Sequence, residues 1–124
     1  LLAEDNEINA EIAVDILEEG ASVDVAGNGK IAVEMFENSP VNHYDLILMD
    51  VQMPERNGRE AASDIRRLDR ADAKTVLIFA LSADAYVEDK RLSRSYGMDG
   101  HFAKPVDFQK MKTEIGEIIR QKKR

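Results

Sequence analysis

The chain has 124 residues, enough for one domain with its own core, and 44% of them are apolar against 33% charged, the balance of a folded chain rather than a disordered one. With 17 basic and 24 acidic side chains the net charge is −7, which argues against nonspecific nucleic-acid binding by this segment. There is no cysteine, so disulfide scaffolds, thiolate zinc sites and cysteine nucleophiles are excluded, and no apolar run approaches the ~20 residues that a membrane-spanning helix needs.

Leu1–Ala3 reads as the end of a first strand. A strand usually runs ~5–6 residues, and no initiator Met precedes this one, so the chain is expected to start inside a strand truncated at its N-terminus. Residues 7–19 carry Ile8, Ile12, Ile16 and Leu17 at helical spacing, with Gly20 as the stop. Ser22–Ala26 alternates Val23 and Val25 as a short strand. Asn28–Asn38 is a helix with Ile31, Met35 and Phe36 inward, ended by Pro40. Tyr44–Asp50 is a strand, and after Pro54 and the Asn57-Gly58 turn residues 59–68 form a helix with Ala61, Ala62, Ile65 and Leu68. Thr75–Leu81 is apolar without alternation, the mark of a strand covered on both faces. Residues 85–95 form a polar helix with few apolar anchors, Gly100–Ala103 is the last strand, and residues 107–120 carry Phe108, Met111, Ile115, Ile118 and Ile119 as an amphipathic final helix. This (βα)5 array predicts a single α/β domain over residues 1–124, a doubly wound parallel five-stranded sheet in a three-layer sandwich.

The polar residues that matter stand at strand ends. Asp50 follows Leu46-Ile47-Leu48-Met49 and precedes Val51-Gln52-Met53-Pro54. Glu4-Asp5 follows the first strand, Ser82 follows the strand 75–81, and Lys104 stands between the last strand and Pro105. Open α/β sheets bind ligands outside the carboxyl ends of their strands, so these groups predict one site along one sheet edge. Each also has a plainer reading: Asp50 as a turn cap, Glu4-Asp5 or Ser82 as helix caps, Lys104 as a surface lysine.

Taken in order, Ala3-Glu4-Asp5-Asn6-Glu7-Ile8-Asn9, Leu48-Met49-Asp50-Val51-Gln52-Met53-Pro54, Asn57-Gly58, Ala80-Leu81-Ser82-Ala83 and Gly97-Met98-Asp99-Gly100-His101-Phe102-Ala103-Lys104-Pro105 resemble the receiver domain of two-component signalling, in detail the receivers attached to hybrid histidine kinases. The resemblance implies a flavodoxin-like fold with strand order 2-1-3-4-5. It implies that Asp50 is the phosphoacceptor, that Lys104 pairs with Asp50 and then with the phosphoryl group, and that the peptide before Pro105 is cis. It further implies that Ser82 and His101 are the switch residues, and that Mg²⁺, with Mn²⁺ as an alternative, is held by Asp5, Asp50 and the backbone carbonyl of Gln52, with Glu4 acting mainly through water. Partners implied are a histidine kinase or histidine phosphotransfer domain and a downstream protein effector, with no nucleic-acid or membrane contact by this segment. The location implied is cytoplasmic, free or as the cytoplasmic part of a membrane-bound kinase. Enzymatic activity would be at most self-phosphorylation and autodephosphorylation, although a hybrid kinase parent would be an enzyme.

Some residues depart from the commonest family pattern. His101 replaces an aromatic, and Arg56 and Arg59 stand where apolar residues are usual; they read as solvated side chains or partner contacts. Gln52 and Asp84 occupy positions that tune phosphoryl lifetime in the family. His43 lies in a polar loop with no assigned role, and the basic end, Arg120 to Arg124, complements the final helix dipole. The alternative reading is a pseudo-receiver that docks proteins without phosphorylation; loss of Asp50, Asp5 or Lys104 would mark it, and all three are present. A flavodoxin-type cofactor binder is disfavoured by Glu4, Asp5 and Glu7 in the first loop, which repel an anionic ligand. An aspartyl phosphatase of the haloacid dehalogenase type is disfavoured by Gln52, where such sites want a second Asp.

Overall fold

The computed structural model describes residues 1–18, 22–41, 43–50, 58–82, 97–103 and 108–122. Its elements in chain order are β1 (Leu2–Ala3), α1 (Glu7–Leu17), β2 (Val25–Ala26), α2 (Gly29–Asn38), β3 (Leu46–Asp50), α3 (Gly58–Arg66), β4 (Leu77–Ser82), β5 (Gly100–Ala103) and α4 (Phe108–Lys122). The five strands form one sheet in the order β2-β1-β3-β4-β5, every pair parallel, as the resemblance implies. The Gly20 stop, Arg56, Asn57, Asp84, the expected helix 85–95 and the segment Lys104-Pro105 lie outside the described residues.

Strand parity sorts the core. Ile47 and Met49 of β3 and Ile78 and Ala80 of β4 pack on one face with Ala32 and Phe36 of α2 and Ala61, Ala62 and Ile65 of α3. Leu46 and Leu48 of β3 and Leu81 of β4 pack on the other with Ala10, Ala13 and Leu17 of α1 and Met111 of α4. All five residues of β3 are buried, which is why its sequence reads as a continuous apolar run ending in a carboxylate.

Four expectations need correction. Ile8 and Ile12 of α1 are 69% and 45% exposed, while Ala10, Ala13 and Leu17 are buried. On a helix turning ~100° per residue, the 10-13-14-17 stripe faces away from the 8-12 stripe. The sheet takes the alanine stripe because small side chains let the helix approach closely. Ile31 of α2 is likewise 40% exposed, and Ala32 and Phe36 carry that contact at 0%. β2 covers only Val25–Ala26 rather than Ser22–Ala26, because its partner β1 contributes only Leu2 and Ala3 to the ladder. Val25 is exposed on this edge strand, while Val23 packs inward beside it. Arg59, read from sequence as solvated, is partly buried, with its Nε shielded from solvent. The alanines and Ile65 of α3 are fully buried as expected, and Leu68 packs just beyond the helix end.

Local chemistry sets the boundaries. Asn28 caps α2, its Oδ1 accepting from the Ile31 amide at 2.8 Å, and Ser39 ends it, its amide donating to the Phe36 carbonyl at 3.1 Å. Asn6 caps α1, accepting from the Ile8 amide at 3.0 Å. Two arginines brace the amino-terminal side of the sheet. Arg70 pairs with buried Asp72 at 2.6 and 3.0 Å, caps the carbonyls of Glu37 and Pro40 after α2, and lies 4.5 Å over the Phe36 ring. Arg66, the last residue of α3, reaches the carbonyls of Gly97, Ala73 and Val76 and the carboxylate of Asp99.

Candidate phosphoacceptor and metal site

The site begins with two adjacent strand ends. Leu2 pairs with Leu48 and Ala3 with Met49, so the next pair in register is Glu4 beside Asp50. Both side chains continue the parity of Leu2 and Leu48, on the face toward α1. The Glu4 amide donates to the Ala26 carbonyl at 3.0 Å, extending the ladder to β2 and holding this end of β1 between its neighbours. Glu4 Oε1 accepts from the Asn6 amide at 3.1 Å, which fixes the carboxylate over the loop into α1. Asn6 is therefore shared: its amide orients Glu4 and its side chain caps the helix.

Glu4, Asp5 and Asp50 each bring a carboxylate oxygen within 4.8 Å of the other two. Glu4 and Asp50 are buried, at 6% and 2% exposure, whereas Asp5 is exposed. Three like charges gathered this closely repel one another, and their oxygens have the hard-donor chemistry that suits a divalent cation such as Mg²⁺. The geometry leaves two buried carboxylates, Glu4 and Asp50, and one exposed, Asp5, toward solvent.

The carboxyl end of β3 is further shaped by Gly58 at the start of α3. A Cβ at this position would stand 2.2 Å from the Asp50 carbonyl oxygen and 2.9 Å from Met49 Cγ. The helix therefore abuts the Asp50 backbone, an approach that only glycine permits. The sequence had marked Gly58 as a turn residue; its role in packing α3 against Asp50 becomes visible only in three dimensions.

Ser82 and His101 are placed by their backbones. Ser82 ends β4 and pairs with Ala103 at the end of β5, and His101 pairs with Ala80. Asp50 in turn pairs with Leu81, so the ends of β1, β3, β4 and β5 line one edge of the sheet in the order the sequence implies. Gln52 and Lys104 lie outside the described residues. His43 stacks edge-on against Tyr44, and the Tyr44 hydroxyl donates to Asp24 at 2.8 Å; none of the three belongs to the carboxylate cluster. An apolar hollow of about 370 Å³, lined by Leu17, Val23, Tyr44, Leu46, Ile115 and Ile119, opens at the amino-terminal ends of β1 and β3 and shares no residue with the carboxylate cluster.

Residues 1–116 match the response regulator receiver domain. The chain belongs to that family. It is 35% identical over 130 residues to hybrid signal transduction histidine kinase K of Dictyostelium discoideum, covering 100% of this chain and 10% of that protein. It is 39% identical over 108 residues to the aerobic respiration control sensor protein ArcB of Escherichia coli K12, covering 86% of this chain and 13% of that one. The receiver domain thus spans about a tenth of the length of the kinases it matches. Among solved structures it superposes on the receiver domain of the sensor histidine kinase PA1611 from Pseudomonas aeruginosa PAO1 with a TM-score of 0.79 at 30% identity, covering 97% of this chain and 92% of the other. That structure holds a magnesium ion in its active site cleft. The Francisella response regulator 1452 receiver domain, at 23% identity and a TM-score of 0.84 over 97% of this chain and 94% of that one, shares the fold. Receiver domains of this family serve two-component phosphorelays, and the relatives here are receivers carried by hybrid histidine kinases.

Proposed function

We propose that residues 1–124 form one receiver domain that accepts a phosphoryl group on Asp50 from a phosphohistidine of a histidine kinase or phosphotransfer domain. The observation that carries this reading is the convergence of Glu4, Asp5 and Asp50 within 4.8 Å at the ends of neighbouring strands. The Asp50 carboxylate attacks phosphorus in line; the P–N bond to the donor imidazole breaks as the P–O bond forms, and the imidazole leaves neutral after taking a proton. The product is an acyl phosphate. Asp5, Asp50 and the carbonyl of Gln52 would hold Mg²⁺ directly and Glu4 through water, with Mn²⁺ fitting the same oxygen set. Bound there, the cation supplies positive charge to the equatorial phosphoryl oxygens. Lys104 gives the second positive charge, pairing with Asp50 before transfer and with the phosphoryl group after it.

The donor docks on α1. Ile8 and Ile12, spaced i, i+4, are exposed apolar side chains on the helix that directly follows Asp5. That placement suits an apolar helix-to-helix contact beside the phosphoacceptor. Phosphorylation then draws in Ser82 and His101 and alters the face made by residues 85–95, β5 and α4, which a downstream protein effector reads. No described helix is long and apolar enough to cross a membrane, and the domain is assigned to the cytoplasm, free or within a membrane-bound kinase.

The experiment is intact mass after incubation with acetyl phosphate, in Mg²⁺ and in EDTA. One phosphoryl adduct that needs the metal and disappears in Asp50→Asn is expected. Full labelling of Asp50→Asn overturns the assignment, and no adduct under any condition favours a phosphorylation-independent docking module. Lys104→Ala is expected to accept some phosphate without the wild-type shift in its amide spectrum.

A further inference from the structure

We infer that Arg66 is a positioning residue for phosphoryl transfer, acting through the register of β5. This rests on the phosphoacceptor reading above. β5 is an edge strand of four residues paired on one side only, to β4. A strand of four residues has few ladder bonds to hold its register, and a slip of one residue turns every side chain to the other face and shifts the strand end by ~3.3 Å. β5 ends at Ala103, which pairs with Ser82, so the register of β5 sets where the strand ends beside β4; Lys104 is the next residue in the sequence.

What stands just before β5 is a clamp built on one guanidinium. Arg66 Nε donates to the Gly97 carbonyl at 2.9 Å, Nη1 to the carbonyls of Val76 at 2.7 Å and Ala73 at 3.1 Å, and Nη2 to Asp99 Oδ2 at 2.9 Å. The same Asp99 oxygen accepts from the Ile78 amide at 2.8 Å, and the Asp99 amide donates to the Ile78 carbonyl at 2.7 Å. Asp99 thus makes both a side-chain and a backbone bond to the residue of β4 that precedes the first ladder pair, Phe79 with Gly100. Gly97 has a φ of +91°, the left-handed conformation, and a Cβ there would stand 2.8 Å from Arg66 Cγ, so the chain turns tightly around the arginine stem. The planar fork matches several acceptors at fixed angles, which an ammonium cannot do. Arg66 is only 17% exposed, so these bonds are partly shielded from water.

The clamp touches none of Glu4, Asp5 or Asp50. From Asp99 to Ala103 the strand spans roughly 13 Å at ~3.3 Å per residue. Metal binding by the carboxylates on β1 and β3 should therefore be separable from the chemistry that needs the ends of β4 and β5. The test is Arg66→Lys, with Asp99→Asn as a second, gentler variant. Mg²⁺ affinity is followed by amide shifts, adduct formation from acetyl phosphate at saturating Mg²⁺ by intact mass, and β5 protection by amide hydrogen exchange. The expected result is a Mg²⁺ Kd within about twofold of wild type, adduct formation slowed by roughly 10- to 100-fold, and faster exchange at Phe102 and Ala103 than at β3. Wild-type rates with β5 still protected overturn the inference. So does a parallel loss of Mg²⁺ affinity and rate, which would make Arg66 a general stability residue. Should the wild-type chain take no phosphate, the phosphoacceptor reading falls, and unchanged β5 exchange in Arg66→Lys still refutes the clamp.

Discussion

Replacing Gly58 and Gly116 by alanine should move stability in opposite directions. Both are helical, so each substitution removes backbone freedom from the unfolded chain and improves helix propensity by up to about 1 kcal/mol. At Gly116, on the exposed face of α4, an added Cβ meets nothing within 4 Å, and the gain is expected in full. At Gly58 the Cβ would lie 2.2 Å from the Asp50 carbonyl oxygen, and moving it to 3.0 Å requires α3 to retreat by about 0.8 Å. Neither the Asp50 backbone, held in the β3–β4 ladder, nor the buried Ala61, Ala62 and Ile65 can yield freely. Overpacking costs about 1–3 kcal/mol, and an approach as close as 2.2 Å belongs to the upper part of that range, about 2–3 kcal/mol, so the net loss after the propensity gain is about 1–2 kcal/mol. At about 4 °C per kcal/mol for a domain of this size, Tm should fall by roughly 4–8 °C in Gly58→Ala and rise by roughly 3–4 °C in Gly116→Ala. Thermal unfolding followed by circular dichroism measures both. Because the strained atom belongs to Asp50, Gly58→Ala should also weaken Mg²⁺ binding while Gly116→Ala leaves it unchanged. A Gly58→Ala variant that melts at or above wild type would refute the close approach of α3 to Asp50.

Asp5→Ala should raise the Mg²⁺ Kd by roughly tenfold or more, since removal of even an outer-shell partner commonly costs 10–100-fold; an unchanged amide-shift titration would count against the acidic pair. Arg70→Ala should destabilise by about 3–5 kcal/mol in urea unfolding, because it takes the guanidinium away from Asp72, which is 3% exposed, and uncaps the end of α2. Adding Asp72→Ala to it should recover part of that loss, and an unaltered midpoint in the single variant would sink the pairing argument. The Tyr44 phenol is pushed up to about 12 by burial, by its hydrogen bond to Asp24 and by that carboxylate's charge. Its contribution to stability is therefore complete below the ordinary pKa of about 10 and lost as pH rises through about 12. Phenolate absorbance should show one late-titrating tyrosine, absent in Tyr44→Phe; ordinary titration of all tyrosines would contradict the Tyr44–Asp24 bond.

Much of this protein was legible in order along the chain. A continuous apolar run marked β4 as covered on both faces, and the carboxylates Glu4, Asp5 and Asp50 stood where β1 and β3 end. That Glu4 and Asp50 share one face came from the register of β1 on β3, since period 2 fixes alternation within a strand and not between strands. The helical faces were less legible. The isoleucines at 8, 12 and 31 carry the strongest apolar signal, yet the sheet accepts the smaller alanines beside them, because helix-to-sheet contact rewards close approach and complementary volume rather than hydrophobicity alone. The clamps of Arg66 and Arg70 had no sequence signal of comparable strength. Their acceptors are mostly backbone carbonyls, which every residue carries, and they come from segments up to 34 positions away. Local pattern and strand period thus determined the elements and the acidic ends; which faces met, how near α3 comes to Asp50, and which carbonyls converge on an arginine were decided by tertiary packing, since those contacts exist only once distant segments share one volume.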